Sequence, residues 1–322
     1  MLPHDLQTMI DQILIDNKKS NIIAPATLTL AKPQNFTRKT GCNTPLIFIG
    51  DCHGHANGLA TLLQELLGTH PTAKIIFTGD LIDRGPQSPE CLRLAITAAI
   101  LTGGVFLPGN HEQMMLAALT SSDELSKMPT RQRQNIEMLG SSFIMNGGGW
   151  IFNLPDGGVE AFSKPELWLD ANLPDSVMTE IHKTSPNVRE WLLSRPLCAR
   201  FGDILAVHAG IPYRTTSIAE IENTSLFGGD GDTGPLWVRK PFLTHTGAFP
   251  ENVFVIHGHT PDRSHLEHIE NGTLYKPHEN RLCIDALSFN PSKSSLTSST
   301  GTIAAAIVTP GKLQMAYATY LT

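Results

Sequence analysis

The chain has 322 residues, of which 41% are hydrophobic and 17% charged, as in a globular protein large enough to bury a substantial core. Its net charge of −6 argues against nucleic acid as the main partner. No apolar run is long enough to span a membrane, and the N-terminus lacks the basic start and apolar stretch of a secretory signal. With five scattered cysteines, these features predict a cytoplasmic protein that has no membrane partner, and they leave non-classical secretion open.

The first 45 residues are predicted to form an N-terminal helix and arm ahead of a catalytic domain at residues 46–322. Apolar residues at positions 6, 9, 10, 13, 14 and 15 have the spacing of an amphipathic helix over Leu6–Ile15. The stretch from there to Cys42 contains prolines and little periodicity, so it is predicted to be irregular.

From Leu46 onwards, short apolar runs alternate with helical patterns. This alternation, with short connections, indicates parallel βαβ units and an α/β fold. Ser88, followed by Pro89, is the predicted N-cap of one helix. The predicted elements are a strand at 46–49, a helix at 56–67, a strand at 74–78, a helix at 88–101, a strand at 104–107 and a helix that starts near His111.

Residues 121–195 differ in character and are predicted to form a helical insertion between two halves of the sheet structure. The segment Asn146-Gly147-Gly148-Gly149-Trp150 marks a sharp break within it. Strands are predicted to resume at 203–207, 252–257, 281–285, 302–308 and 313–319.

Five apolar strands are each followed by a polar side chain with an oxygen or nitrogen donor. Taken alone, each of these residues is more often a turn, cap or locally hydrogen-bonded residue. As a set they fall at the carboxyl ends of strands, where ligands gather in α/β sheets. The set is Asp51, His53, Asp80, Asn110, His208 and His259.

Mixed oxygen and imidazole donors suit manganese, iron or zinc better than calcium. Six ligands are too many for one catalytic ion that keeps an open position. They suit two ions that share a carboxylate, and Asp80 is the predicted bridge because it lies between the others in sequence.

The motifs GDCHG (50–54), GDLIDRG (79–85), GNHE (109–112), HAG (208–210) and GHT (258–260) resemble the signature of the calcineurin-like metallophosphoesterases. The GDLIDRG form resembles the phosphoprotein phosphatase branch, which includes bacterial and phage Ser/Thr protein phosphatases and symmetric diadenosine tetraphosphate hydrolases. The resemblance implies a β-sandwich built from βαβ units and flanked by helices.

The resemblance also implies a role for each matching residue. Asp51, His53 and Asp80 would hold one divalent ion, with manganese expected in vitro and iron or zinc as alternatives. Asp80, Asn110, His208 and His259 would hold the other. His111 would be the general acid in a direct in-line attack by a hydroxide that bridges the ions, and Asp83 would orient it. The substrate phosphate would be bound by Arg84, Arg239 and Asn110.

Neighbouring residues receive simpler interpretations. Glu112 is predicted to hydrogen-bond locally in the GNHE turn, and Asp285, after the apolar run RLCI, to hold a loop near the metals. Cys52 is predicted to be a small buried thiol. His55 and His257 are predicted to have local roles. His265 is among the histidines predicted to be solvated or in loops.

Three other hydrolytic devices are absent from the sequence. No cysteine has an arginine six positions on, and there is neither a GxxxxGK[ST] phosphate loop nor a GxSxG elbow. The favoured function, which the resemblance implies, is a metal-dependent phosphatase acting on phosphoproteins or phosphopeptides at Ser/Thr sites, with Tyr sites as a further class. The alternatives are a dinucleoside polyphosphate or small-molecule phosphohydrolase, for which Trp150, Phe152 and Trp237 would be candidate base clamps, and a non-catalytic scaffold.

Overall fold

The computed structural model describes residues 3–20, 26–154, 158–228, 233–271, 278–288 and 300–321. Its strands form two sheets. They are Thr27–Leu30 (β1), Gln34–Asn35 (β2), Leu46–Ile49 (β3), Lys74–Phe77 (β4), Val105–Phe106 (β5), Cys198–Phe201 (β6), Ile204–Val207 (β7), Phe254–His257 (β8), Arg281–Cys283 (β9), Thr300–Thr309 (β10) and Lys312–Leu321 (β11).

The first sheet has seven strands in the order β1-β11-β10-β3-β4-β5, with β2 paired to β11. The second has four strands in the order β6-β7-β8-β9. Strands β3, β4 and β5 are parallel to one another, as are β7, β8 and β9. The parallel strands in each sheet therefore present their carboxyl ends at a common edge.

Helices cover the sheets and fill the segment between β5 and β6, which is helical wherever the structure describes a regular element. The α-helices are His4–Ser20 (α1), Ala56–Thr69 (α2), Ser88–Leu101 (α3), Asn110–Ala118 (α4), Ser122–Ser126 (α5), Thr130–Met145 (α6), Val159–Ser163 (α7), Glu166–Leu169 (α8), Asp175–His182 (α9), Val188–Leu193 (α10), Ala219–Glu222 (α11) and Ser264–Asn271 (α12). A 3₁₀ helix at Gly148–Asn153 follows α6.

Strand β3 shows how the layers are held together. All four of its residues are fully buried. Leu46 and Phe48 belong to the apolar core shared by both sheets, whereas Ile47 and Ile49 belong to the core beneath the helices. Successive side chains of a strand point to opposite faces, so a run of four apolar residues is what a strand buried on both faces requires. The α/β sandwich flanked by helices is thus confirmed.

The prediction of an irregular arm after the first helix is wrong for β1 and β2. Strand β1 pairs with β11 in an antiparallel register that places Thr27 opposite Thr319, and β2 pairs with the start of β11. These short strands have little sequence signal of their own. Their pairing partner lies almost a chain length away, and only the folded sheet brings the two together.

The first helix is longer than predicted and is part of the core. Leu6, Ile10 and Ile13 are buried in the same apolar cluster as α2 and α3.

Strand β6 was not predicted at all, and it forms a hairpin with β7. Ser88 is not the N-cap predicted for α3, because the cap position is Gln87 and Ser88 instead accepts a hydrogen bond from the Asp83 backbone N–H at 2.9 Å. Within the residues that the structure describes, no helix is long and apolar enough to cross a membrane.

Replacing Ile10 by alanine should lower the free energy of unfolding by about 3 kcal/mol, because Ile10 is fully buried between α1 and the helices beneath it. Urea denaturation measures this change. Ile15→Ala is the matched control on the same helix: Ile15 is 45% exposed, so its loss should cost about 0.5 kcal/mol or less. Equal effects of the two substitutions would show that α1 does not dock as described.

Candidate metal and phosphate site

The six predicted ligands lie together where five strands end. Strands β3, β4 and β5 lead to Asp51, Asp80 and Asn110. Strands β7 and β8 of the other sheet lead to His208 and His259. All six side chains are at most 6% exposed. Neither sheet supplies the whole set, so the packing of one sheet on the other assembles the site.

The first group is centred on His53. Its Nε2 lies 3.9 Å from Oδ2 of Asp51 and 3.8 Å from Oδ2 of Asp80. The other ring nitrogen, Nδ1, lies 3.0 Å from the carbonyl oxygen of Ile82, so it carries the hydrogen of a neutral ring. Nε2 is then left as the electron-pair donor facing the two carboxylates.

The second group is centred on the side-chain oxygen of Asn110. This Oδ1 lies 2.9 Å from Nε2 of His208 and 2.9 Å from Nδ1 of His259. His208 Nε2 is also 3.4 Å from Oδ1 of Asp80. Asp80 therefore turns one oxygen toward each group, which is the arrangement that a bridging carboxylate requires.

The donors present fit divalent cations. Nδ1 of His208 donates to the carbonyl oxygen of Thr78 at 2.8 Å, so the Nε2 lone pair of a neutral ring faces the Asn110 oxygen, another acceptor. A cation bound between Nε2 of His208 and Oδ1 of Asn110 would accept the electron pairs of both atoms. Carboxylate, amide oxygen and imidazole form a donor set for manganese, iron or zinc. Asp51, His53 and Asp80 would hold one ion, and Asp80, Asn110, His208 and His259 the other.

The electrostatics of the group centre on Asp80. Burial raises the pKa of the Asp80 carboxyl, but the surrounding imidazoles outweigh the effect of burial and hold this pKa well below its usual range. The imidazoles, in order of effect, are those of His208, His111, His53 and His259. Asp80 is thus an anion. The pKa of Asp51 is raised instead, chiefly by burial and then by its carboxylate neighbours.

Tight backbone turns aim the donors. His53, Asp80 and His259 all have positive φ, at 44°, 55° and 68°, a conformation that costs non-glycine residues energy. The glycines of the motifs make room for the carboxylates. A Cβ added at Gly258 would lie 2.0 Å from Oδ1 of Asp51, and one at Gly109 would lie 2.1 Å from Oδ1 of Asp80.

Glu112 fixes two of these turns at once. Its buried carboxylate accepts hydrogen bonds from the backbone N–H groups of Gly109 at 2.7 Å, Asp80 at 2.8 Å and Leu81 at 2.8 Å. The bond to Gly109 is the predicted local one. The bonds to Asp80 and Leu81 join the GNHE turn to the GDLIDRG turn, which the sequence spacing did not reveal.

His111 and Asp83 form a hydrogen-bonded pair beside the ligands. Nδ1 of His111 donates to Oδ2 of Asp83 at 2.7 Å, and both side chains are buried. Burial lowers the pKa of His111, but the carboxylates of Asp80 and Asp83 outweigh it, and the net shift is upward. The hydrogen bond to Asp83 fixes Nδ1 as a protonated ring nitrogen and leaves Nε2 facing the ligand cluster.

Two arginines reach the site from its open side. Nη1 of Arg84 lies 2.7 Å from Nε2 of His53, and Nη2 lies 3.0 Å from Nε2 of His111. Ligation of an ion by His53 Nε2 requires Arg84 to give up the first of these bonds. Arg239 is exposed and donates to the Thr260 hydroxyl at 3.1 Å, one residue after His259.

Asp285 is buried beside the predicted ligand Asp51, in addition to contacting a loop. Its carboxyl is hydrogen-bonded to that of Asp51, and Oδ1 accepts from the backbone N–H of Leu287 at 3.1 Å. Burial is the largest of the causes that raise the pKa of the Asp285 carboxyl to about 6. Its carbonyl oxygen accepts from the Asp262 backbone N–H at 3.0 Å. The strand-end position after RLCI was the sequence signal for it.

Other neighbouring residues have local roles. Cys52 is fully buried, as predicted, and burial holds the pKa of its thiol well above the usual value, which keeps it unreactive. His55 is buried against the Tyr320 ring, with ring centroids 4.5 Å apart. The prediction that His265 is solvated or in a loop is wrong, because this side chain on α12 is fully buried between the Tyr317 hydroxyl and the Cys283 carbonyl oxygen.

The strand ends of this sandwich deliver carboxylate, amide and imidazole groups, and a histidine–aspartate pair and two arginines lie beside them, so the arrangement is a candidate site for divalent cations and a phosphate group. The family model described as calcineurin-like phosphoesterase matches residues 44–287, and the chain belongs to this family.

Individual relatives match shorter parts of the chain. Serine/threonine-protein phosphatase 1 of Salmonella typhimurium is 34% identical over 106 residues, which cover 33% of this chain and 40% of the relative. A symmetrical bis(5'-nucleosyl)-tetraphosphatase of Actinobacillus succinogenes is 40% identical over 70 residues, or 22% and 25% of the two chains. The chain thus spans less than half the length of these relatives in the matches. A solved cold-active protein-tyrosine phosphatase of a psychrophilic Shewanella species is 19% identical, with 85% of this chain and 80% of that chain covered and a TM-score of 0.42.

Replacing Asp80 by asparagine should reduce the metal bound from about two ions per chain to fewer than one, because both groups lose a charged oxygen. Metal analysis of the dialysed protein after manganese loading measures this. Asp203→Asn is the control: it removes a carboxylate that accepts from the Lys39 backbone N–H at 3.0 Å, away from the cluster, and should leave the metal content unchanged. Full metal content in the Asp80 variant would contradict the bridging assignment.

Proposed function

We propose that this protein is a two-metal phosphomonoester hydrolase that acts on phosphoproteins, with phosphoserine and phosphothreonine as its main substrates and phosphotyrosine as a further one. The observation that carries the proposal is the position of the His111–Asp83 pair. Nε2 of His111 lies 3.9 Å from Oδ2 of Asp80, at the junction of the two ligand groups. A proton donor thus adjoins the place where a phosphate held by two cations would sit.

The chain's own residues divide the chemistry among them. Asp83 holds the Nδ1 hydrogen of His111, which leaves Nε2 to carry a proton to the leaving-group oxygen. Nη2 of Arg84 lies 3.0 Å from that same Nε2, a contact that Arg84 gives up when Nε2 carries the proton, and a phosphate bound by its planar fork would then lie beside the acid. Arg239 and Asn110 are the other proposed phosphate-binding residues. When bound, the two cations would neutralise phosphate charge and supply an activated water.

The named relatives support both a phosphoprotein and a dinucleotide substrate. Serine/threonine phosphatases support the first. The symmetrical bis(5'-nucleosyl)-tetraphosphatase supports the second. A cavity of about 280 Å³ supports it too, since its lining includes the apolar side chains of Leu139, Leu236 and Trp237. The Trp237 ring lies 6.2 Å from that of His259, so a base or an apolar side chain in this cavity would lie next to the ligand cluster. Hydrolysis of diadenosine tetraphosphate is therefore the alternative function.

Turnover of a phosphopeptide panel should exceed that of diadenosine tetraphosphate when both are assayed with added manganese. The measurement is kcat/KM for phosphoserine, phosphothreonine and phosphotyrosine peptides and for the dinucleotide. We expect at least about 10-fold higher kcat/KM for the best peptide, equivalent to about 1.4 kcal/mol of transition-state discrimination. A dinucleotide kcat/KM well above every peptide would replace the first proposal with the second.

Replacing His111 by alanine should reduce kcat on a phosphoserine peptide by roughly 10²–10⁴-fold while both metals remain bound, because the acid is lost and the ligands are not. Stopped assays of phosphate release, together with metal analysis, measure the two effects. Asp80→Asn serves for comparison because it should lower metal content and kcat together. Wild-type turnover of the peptide by the His111 variant would refute the acid assignment.

A further inference from the structure

We propose that Trp150, in the helical insertion, is a positioning residue for the proton donor: its indole N–H holds the Asp83 carboxylate and, through it, His111. This inference rests on the proposed role of His111 as the general acid. The sequence suggested two other interpretations of Trp150, a base clamp or part of the core. Neither assigns a task to its N–H group.

The Asp83 carboxylate is held at both oxygens. Oδ2 accepts from Nδ1 of His111 at 2.7 Å, and Oδ1 accepts from Nε1 of Trp150 at 2.7 Å. The Asp83 side chain is fully buried, so water does not reach these oxygens. Within the described part of the chain, these two N–H groups are the hydrogen-bond donors to the carboxylate. Its orientation thus depends on one donor from α4 and one from the insertion.

The loop that carries Trp150 is shaped to reach Asp83. Helix α6 ends at Met145, and Gly147 turns the chain with a φ of 109°. A Cβ added at Gly147 would lie 2.7 Å from the Arg84 backbone nitrogen and 3.3 Å from Cβ of Asp83. The loop therefore lies directly on the Asp83–Arg84 backbone, and only glycine permits that approach.

The Trp150 ring is itself fixed by aromatic neighbours. It meets the Phe143 ring edge to face with centroids 6.1 Å apart, and the Trp168 ring in the same way at 5.5 Å. Phe143 is fully buried and Trp168 is 7% exposed. These contacts hold the indole in one orientation, so its N–H is aimed before substrate arrives.

The turn that receives this hydrogen bond has little stability of its own. Asp83 and Arg84 both have positive φ, at 71° and 67°, a conformation that persists only where the surroundings fix it. A buried carboxylate that lost one of its two donors would be free to rotate away from Nδ1 of His111. The imidazole would then lose the partner that sets its tautomer and orientation.

Trp150→Phe removes the N–H and keeps an aromatic ring. Trp168→Phe is the matched control, because phenylalanine keeps an aromatic ring beside the Trp150 indole. The control also removes an indole hydrogen bond in the same cluster, but that bond goes to the Ala161 carbonyl oxygen at 3.1 Å. Two substrates separate acid catalysis from general damage. Phenyl phosphate has a poor leaving group that needs a proton, and 4-nitrophenyl phosphate has a good one that scarcely does.

We expect Trp150→Phe to lower kcat on phenyl phosphate roughly 10-fold, with kcat on 4-nitrophenyl phosphate changed by about 2-fold or less, because the variant damages proton donation and spares phosphate binding. Trp168→Phe should change both rates by the same factor. An equal fall on both substrates for Trp150→Phe would overturn the inference, since it would mean that the ring matters only for packing.

The double variant with His111→Ala tests whether Trp150 acts through His111. If it does, Trp150→Phe causes no further loss of phenyl phosphate turnover in the His111→Ala background. The same fractional loss in both backgrounds would overturn the inference and leave the proposed function intact. If His111→Ala itself lowers the two rates equally, the acid assignment fails, and the inference fails with it.

One measurement leaves Trp150 unaltered, in case its replacement prevents folding. In ¹⁵N spectra of the full chain loaded with zinc, which is diamagnetic and does not broaden nearby signals, Asp83→Asn should shift the indole N–H signal of Trp150 and leave that of Trp168 in place. An unmoved Trp150 signal would show that the hydrogen bond is not formed in solution, which would overturn the inference.

Discussion

The Asp80 carboxylate is the centre on which the rest of the site depends. One of its oxygens faces His53 and the other faces His208, so each half of the donor cluster is completed by the same side chain. A buried anion is costly unless positive charge or hydrogen-bond donors surround it. Here the imidazoles hold its pKa low and the His111 backbone N–H donates to Oδ1 at 3.0 Å, which makes the residue a permanent negative centre around which cations can assemble.

This arrangement places demands on the whole fold, because the donors come from two sheets. The shared apolar core, with Phe48 from one sheet and Ile256 and Leu282 from the other, sets the distance between the strand ends. Glu112 then fixes the turns locally by accepting three backbone N–H groups. Packing thus brings the ligands together, and hydrogen bonds to the backbone orient them.

The insertion is joined to the same centre through Asp83. If Trp150 acts as proposed, movement of the segment between β5 and β6 would alter proton donation as well as the shape of the cavity beside Trp237. Trp150 donates to Asp83, which is the hydrogen-bond partner of His111. Trp237 donates at 2.7 Å to Gln113, which lies two residues after His111 on α4. Substrate contacts in this region and acid catalysis would therefore be linked.

Much of the part of the fold that carries Asp51, Asp80 and Asn110 could be predicted from local sequence. The helix at 88–101 was predicted with its observed bounds, and the strand at 46–49 likewise, because short apolar runs and a proline in the first turn of a helix are local signals, although the predicted cap residue was wrong. The six candidate ligands were found because each follows such a run. Strands β1, β2 and β6 were missed because their short sequences carry weak periodicity and their existence depends on partners elsewhere.

The sequence by itself determined which donors exist and at which strand ends they stand, since that information lies in a few consecutive residues around Asp51, Asp80 and Asn110. Only the tertiary structure decided which atoms meet. That His265 is buried, that Asp285 contacts Asp51, and that the indole of Trp150 reaches Asp83 from 67 positions away all depend on how separate segments pack. Such contacts follow from the mutual position of sheets and insertion, which no local pattern encodes.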